Sequence, residues 1–261
     1  MDCKTFKIRK LIQQISLAGW ILLILSLISE LLKTAHAYCP YAAICFGTWQ
    51  LKGIAVYTLT ASIGLILAFG TIFFGRIFCG YVCFWGTLQE YLYRISPLMK
   101  FKHLVNDKVH RVLLKLKYLI LIITFLLILL RLPFIYMKFC PVLAISHPFQ
   151  IGVAAIIIFL LIIVGGLFIE RFWCRYLCPY AALMNVFQLL GRVFGFGRSS
   201  IVRNISVSLN CPQCRNYCPM QIKIGSENVI TDIECIHCRR CVRICTRDKS
   251  SSGSCIYRDN L

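Results

Sequence analysis

Seven thiols stand in two runs towards the end of the chain, Cys211-x2-Cys214-x3-Cys218-Pro219 and Cys235-x2-Cys238-x2-Cys241-x3-Cys245. In two-cluster iron–sulfur domains a C-x2-C-x2-C-x3-C-P run gives three thiolates to one cluster and its fourth to the neighbouring one. The second run is complete except that Thr246 takes the proline position; the first lacks only its first cysteine, where Ser208 stands. By that logic cluster B takes Cys235, Cys238, Cys241 and Cys218, and cluster A takes Cys211, Cys214 and Cys245. Cluster B is then a [4Fe–4S] centre, and cluster A is [4Fe–4S] or [3Fe–4S]. Its fourth iron has four candidate outcomes: no ligand, Ser208 or water, Cys255 folding back, or a cysteine donated from elsewhere. Zinc ribbons also use paired C-x2-C motifs, but the third cysteine of C-x2-C-x2-C and the proline after Cys218 point to iron–sulfur.

Four more cysteines form a repeat. Phe73-Phe74-Gly75-Arg76-Ile77-Phe78-Cys79-Gly80-Tyr81-Val82-Cys83 returns 95 residues later as Phe168-Ile169-Glu170-Arg171-Phe172-Trp173-Cys174-Arg175-Tyr176-Leu177-Cys178. If each C-x3-C is helical, its two thiols lie one turn apart on one face, and two such segments side by side bring four sulfurs together. A further metal or redox site at Cys79, Cys83, Cys174 and Cys178 is therefore expected. Cys39-Pro40 and Cys140-Pro141 precede the two repeats in the same order, so the chain reads as two parallel hairpins.

The elements that must position these thiols are strongly apolar. Of 261 residues, 59% are apolar, and four runs of membrane-crossing length, free of charge through their centres, occur at about Leu11–Leu32, Gly53–Phe74, Tyr118–Tyr136 and Ile151–Ile169, with Glu30, Arg131 and Glu170 near their ends. Of the 29 Lys and Arg residues, twenty-five fall in the segments that alternate on one side of these runs and four on the other. The positive-inside rule then puts both termini in the cytoplasm of a multi-pass protein in the cell membrane. The net charge of +19 is mostly topology; no nucleic-acid-binding module accompanies it. Lys4 to Ala37 imitates a secretory signal, but its apolar run exceeds the ordinary length of about 7–15 residues and reads as an uncleaved helix. Asn106 or Asp107 caps a stretch in which Val109, Val112, Leu113 and Leu116 share a face, expected to lead into the third span without chemistry of its own.

Thirteen of the 16 cysteines fall on the reducing side; Cys39, Cys45 and Cys140 fall outside, where Cys39 and Cys140 could form an outer thiol site. His36 and His147 lie near the same face, within reach of a quinone headgroup. No histidine occurs inside a span, so no haem is expected. Arg215, Arg239, Arg240, Arg243 and Arg247 interleave with the ligands, where they would raise cluster potentials, steer acidic partners such as ferredoxin or flavodoxin, or simply be solvated. No phosphate loop or catalytic triad pattern is present.

With spans, paired C-x3-C segments and ferredoxin runs placed, the chain from about residue 10 to 247 resembles the NapH/NosR-type membrane ferredoxins. Cys174-Arg175-Tyr176-Leu177-Cys178-Pro179 fits that family's C-x3-C-P motif fully, whereas Phe84 replaces the proline after Cys83. The resemblance implies electron transfer between quinol and other redox proteins, as an electron-transfer (quinol dehydrogenase-like) subunit at most. The expected architecture is an all-α integral membrane domain over 1–199, with four transmembrane helices in two repeated hairpins. A small ferredoxin-like α+β dicluster domain follows over 200–249, then a flexible tail over 250–261. The expected surroundings are the lipid bilayer, redox partner proteins or membrane subunits, and quinone. The competing expectation is a membrane redox sensor, regulator or maturation factor using the clusters or the outer thiols.

Overall fold

The computed structural model describes residues 2–28, 55–96, 105–130, 153–196, 200–203, 217–222, 229–230, 232–241 and 255–258. Ser208, Cys211, Cys214, Cys245, Cys39, Cys45, Cys140, His36 and His147 lie outside these residues.

All four apolar runs are helical over their described residues except at two ends, where Leu130 is in a turn and Ile169 in a bend. They form α1 (Asp2–Ile28), α2 (Ala55–Phe74), α5 (Asp107–Leu129) and α6 (Val153–Phe168). Two short elements carry the first cysteine of each repeat: α3 (Ile77–Tyr81) and a π-helical turn (Trp173–Leu177). Each is followed by an amphipathic helix, α4 (Phe84–Ile95) and α7 (Pro179–Val193). By length and composition α5 is able to cross a membrane; it is the one helix among the described residues that meets both criteria in full.

The packing follows the repeat. Helix α4 packs on α1 of its own half and on α6 of the other, while α7 packs on α5 of its own half and on α2 of the other. The two halves are thus exchanged across a pseudo-twofold, and neither buries its amphipathic helix alone. Phe84, Trp85 and Ile162 form the core on one side, backed by Leu17, Trp20 and Trp173. On the other side Cys79, Tyr180, Met184, Met220, Ile222, Cys235, Ile236 and Cys238 form a single core. This second core spans both halves and the iron–sulfur runs.

Three short strands, β1 (Ser200–Arg203), β2 (Val229–Ile230) and β3 (Cys255–Arg258), make an antiparallel sheet in the order β2-β1-β3. Here the structure departs from the expected flexible tail: β3 pairs Cys255 with Arg203 and Tyr257 with Ile201. Ile256 and Tyr257 are strand formers that follow the Ser/Gly run, and pairing with β1 satisfies their backbone.

A second departure concerns α5. Capping by Asn106, whose side chain accepts from Lys108 N at 3.0 Å, starts one continuous helix at Asp107. Its buried face is the opposite of the apolar one: Val109 and Val112 are exposed, while His110, Lys117 and Thr124 are buried at seven-residue spacing. An amphipathic rule that assumes water outside fails where the inside is polar.

The loop 232–241 sits directly on the first repeat. A Cβ on Gly80 would meet the Ile236 carbonyl oxygen, and one on Gly75, which has φ 66°, would meet the His237 ring. Gly80→Ala is therefore expected to cost about 1–3 kcal/mol through overpacking. This is read as a lowered thermal midpoint with weakened docking of the loop, whereas Gly19→Ala, with nothing within 4 Å, should cause no loss.

Candidate metal centres and their electrostatic frame

Each C-x3-C segment ends alike. Cys83 N donates to Phe78 O at 3.0 Å and Cys178 N to Trp173 O at 2.9 Å, both five residues back. This closure widens the turn, and the second cysteine leaves it in extended backbone to N-cap the next helix: Cys83 (ψ 118°) for α4 and Cys178 (ψ 111°) for α7. The thiols are therefore not one helical turn apart, as a regular helix would set them. Pro179 at N1 suits its fixed φ, yet α4 begins at Phe84 in the same place, so the substituted proline does not change the cap.

The four thiols lie within electrostatic reach of one another, and two of them touch. Cys83 is hydrogen-bonded to Cys174 and interacts with Cys79 and Cys178, and Cys79 lies 3.6 Å from the Met184 sulfur. The hydrogen bond from Cys174 holds the Cys83 thiol below its ordinary range against the effect of burial, assisted by the backbone N–H groups of Gly86 and Trp85. A thiol at a helix N-terminus gains this kind of anion stabilisation. Burial pushes Cys178 up to about 12.

The four thiols assigned to cluster B from spacing line one open cavity of about 400 Å³, together with Met220, Ile222, Ile236 and Arg240. Burial pushes Cys235 up to about 12 and Cys218 up to about 11; a bound metal would deprotonate such thiols outright. Left-handed backbone at His237 and Arg239 (φ 51° and 56°) turns the chain on both sides of Cys238. Such alternation aims backbone N–H groups at anions in many iron–sulfur sites. A zinc ribbon would hold its sulfurs at about 2.3 Å from one ion. Among the described residues no three His, Cys, Asp or Glu side chains gather around a single-ion position. A four-iron cube needs wider spacing, because each thiolate binds its own iron.

Two buried carboxylates organise the surroundings, and spacing alone did not single out either one. Glu90 Oε2 accepts from Arg9 at 2.7 Å, Arg171 at 2.9 Å and Gln13 at 3.2 Å, while Oε1 accepts from Arg94 at 2.6 Å. Arg240, set between Cys238 and Cys241, forms ion pairs with Glu90 at 2.7 Å and Glu170 at 2.5 Å. Arg240 therefore docks the ligand run on the helical domain instead of facing a soluble partner. Glu234, beside Cys235, accepts from Arg76 at 2.8 Å, from Asn185 at 2.8 Å and from Lys117. Arg175 donates to Gln221 and to His110 Nδ1 at 3.1 Å, and Tyr176 Oη lies 2.9 Å from the same nitrogen. A guanidinium only donates, so Nδ1 is the acceptor there. His110 and Lys117 thus tie α5 to the cluster region, contrary to a lead-in without chemistry. Their signal in the sequence was weak: polar residues on a helix read as its outer face.

The arginines matched by the repeat, Arg76 and Arg171, are fully buried. Arg171 donates to Cys79 O at 2.5 Å and Arg76 to Cys174 O at 3.5 Å, so each holds the other half's cysteine. The partners are exchanged in the same sense: Arg171 binds Glu90, and Arg76 binds Asn185, which stands at the repeat-equivalent position, at 3.2 Å. Arg171 adopts φ 58°, a strain of about 1–3 kcal/mol that its surroundings must outweigh. The Nε atoms of Arg76, Arg171 and Arg175 are buried without a hydrogen-bond partner, a state that ordinarily costs about 1–3 kcal/mol each.

Known proteins share this pattern. The family described as a 4Fe-4S binding domain matches residues 57–103 and 151–197, one match per repeat. An uncharacterised protein of Methanocaldococcus jannaschii is 30% identical over 204 residues, covering 77% of this chain and 81% of that one. YccM of Escherichia coli, whose name marks it as a candidate electron transport protein, is 35% identical over 96 residues, covering 37% of this chain and 25% of its own. The regulatory protein NosR of Pseudomonas aeruginosa is 28% identical over 177 residues, covering 65% of this chain and 24% of its own. The chain thus spans only about a quarter of the latter two. No solved structure matches it significantly.

Burial works against the charge on Glu90, but Arg240, Arg171 and Arg9 outweigh it and hold the carboxyl well below the usual range; Arg76 and Lys117 do the same for Glu234. A depressed folded-state pKa stabilises the fold above the unfolded value, near 4.3 for Glu, and that contribution is lost as pH falls towards the folded value. The thermal midpoint of the detergent-solubilised protein should therefore drop steeply below about pH 4. Glu90→Gln should lower the midpoint at pH 7 and flatten the acid limb, because removing one partner of a buried ion pair costs about 3–5 kcal/mol.

Proposed function

The chain belongs to the NapH/NosR-type membrane ferredoxin family, and from that premise we propose that it is a membrane-anchored relay. It would pass electrons between a quinol pool or a partner subunit and other redox proteins. The single observation that carries this reading is the shared cavity of Cys218, Cys235, Cys238 and Cys241, continuous with Cys79 and Met184 in one buried core. Each iron–sulfur cluster supplies one-electron chemistry; the residues of the chain bind it, bury it and fix its distance from the next centre.

Three sites are proposed: cluster B at those four cysteines, cluster A at Cys211, Cys214 and Cys245, and a centre at Cys79, Cys83, Cys174 and Cys178. Support for the third is the hydrogen bond between Cys83 and Cys174, the nearness of Cys79 and Cys178, and the family match, which covers each C-x3-C in turn. In this reading α1, α2, α5 and α6 cross the membrane and both termini are cytoplasmic. The exposed apolar side chains along α2, α5 and α6, such as Ile66, Phe69, Ile122, Phe125, Leu160 and Leu161, are the surface that lipid would cover. A quinol gives up two electrons and two protons, so two clusters would share the product of one oxidation. The name of NosR favours a second reading, redox regulation, in which the clusters change state without steady turnover.

Anaerobically purified protein should carry about eight irons per chain in clusters A and B, or about seven if cluster A is [3Fe–4S], with any metal at the third centre in addition. Cys235→Ser should remove one EPR signal and leave the others. A short-chain quinol or a reduced ferredoxin should bleach the brown colour within seconds. Iron-loaded protein that no quinol or ferredoxin reduces would favour the regulatory reading, and a colourless zinc-loaded protein would overturn both.

A further inference from the structure

Among the four C-x3-C thiols one pair stands apart. Cys174 donates a hydrogen bond to the Cys83 sulfur, which also accepts from the backbone N–H groups of Gly86 and Trp85 at the start of α4. The repeat-equivalent pair, Cys79 and Cys178, interacts by charge, and Cys79 rests against the Met184 sulfur at 3.6 Å. Cys83 is half-buried and Cys174 is only 2% exposed. Among the described residues no three metal-ligating side chains gather around one position. A reachable thiol at a helix N-terminus, backed by a buried thiol in contact with it, is the arrangement of a dithiol–disulfide couple.

We infer that Cys83 and Cys174 form a reversible disulfide across the two halves, and that this couple exchanges two electrons and two protons with a quinone. Resting on the proposed third centre, this gives that centre thiol chemistry in place of a metal. Oxidation removes both thiol protons and forms one S–S bond; two electrons and two protons pass to the quinone, which leaves as the quinol. In return, two single electrons from the iron–sulfur clusters and two protons from water restore the thiols. The couple would thus join one-electron clusters to a two-electron carrier. The sulfurs, already in contact, have only to close to a bonding distance of about 2 Å. Cys83 also packs against the core of Phe84, Trp85 and Ile162, with Trp20 and Trp173 beside it, so an oxidant reaches it through apolar surroundings, as a quinone ring can. Disulfides on the reducing side of a membrane are ordinarily transient and catalytic, which fits a couple that cycles.

The test uses the full chain in detergent, prepared anaerobically, reduced with dithiothreitol, freed of it and then exposed to duroquinone, whose four methyl groups prevent addition to thiols. After alkylation in denaturant, peptide mapping should find a Cys83–Cys174 cross-link, with about one quinol formed per cross-linked chain. Cys83→Ser and Cys174→Ser should each abolish it while the iron and EPR signals of clusters A and B persist, and Cys79→Ser should leave it in place. The inference is overturned by a wild type without the cross-link, by a cross-link between other members of the four, or by a stoichiometric metal that any of the four substitutions releases. Where a variant fails to fold, the wild-type map decides alone. The relay is judged separately. Clusters that turn over in a protein lacking the cross-link sink only the inference. A cross-link that forms beside clusters that neither a quinol nor a reduced ferredoxin reduces supports the inference and sinks the relay.

Discussion

A guanidinium cannot shed its proton inside a protein, and this constraint orders the structure around Arg76 and Arg171. Each must find acceptors at full burial; the opposite repeat supplies them, and for Arg76 Glu234 of the loop 232–241 adds another. Arg171 takes the Cys79 carbonyl and Glu90; Arg76 takes the Cys174 carbonyl and Asn185. The exchange prevents either half from being complete alone. It also brings the two cysteine segments into contact, because an arginine spanning from one to the other fixes their separation. The exchanged packing of α4 on α6 and of α7 on α2 is the helix-scale expression of the same requirement.

The repeat is most informative where it breaks. Gly75 and Gly80 of the first half stand opposite Glu170 and Arg175 of the second. The glycines remove side chains where the ligand loop 232–241 lies against the backbone. The charged pair occupies the side where the rest of the cysteine-rich region arrives: Arg240 of that loop meets Glu170, and the amide oxygen of Gln221, from segment 217–222, accepts from Arg175. Glu90 faces Asn185 across the repeat, and the missing second carboxylate is supplied by Glu234 from the ligand loop. The ligand loop is thus an electrostatic member of the helical domain, and undocking it would leave Arg76 and Lys117 buried without a counter-charge.

Much of the candidate site was legible because thiolate ligation imposes spacing. The assignment of Cys218 to the second run's cluster follows from the ferredoxin pattern, and those four side chains share a cavity. The 95-residue repeat paired Arg76 with Arg171 in advance, and Asn106 was foreseen as one of two candidate caps. What spacing could not reveal is who pairs with whom at long range. Arg240 reads as one basic residue among five until Glu90 and Glu170 are folded onto it. Helix α5 was misread for a physical reason: Val109, Val112, Ile122 and Phe125 are exposed while His110, Lys117 and Thr124 are buried, the reverse of the pattern that a water-facing helix obeys. The tail was misread because a Ser/Gly run says nothing of the strand that follows it.

The broken symmetry also bears on direction. Two thiol sites lie in one continuous core, joined through Met184, whose sulfur is 3.6 Å from Cys79. A relay needs adjacent centres, and it needs them to differ in potential. The arginines beside both sites are already paired with acids: Arg240 with Glu90 and Glu170, Arg171 with Glu90, and Arg76 with Glu234. In the proposed relay the direction of flow would then be set by burial and hydrogen bonding at each site and not by net arginine charge.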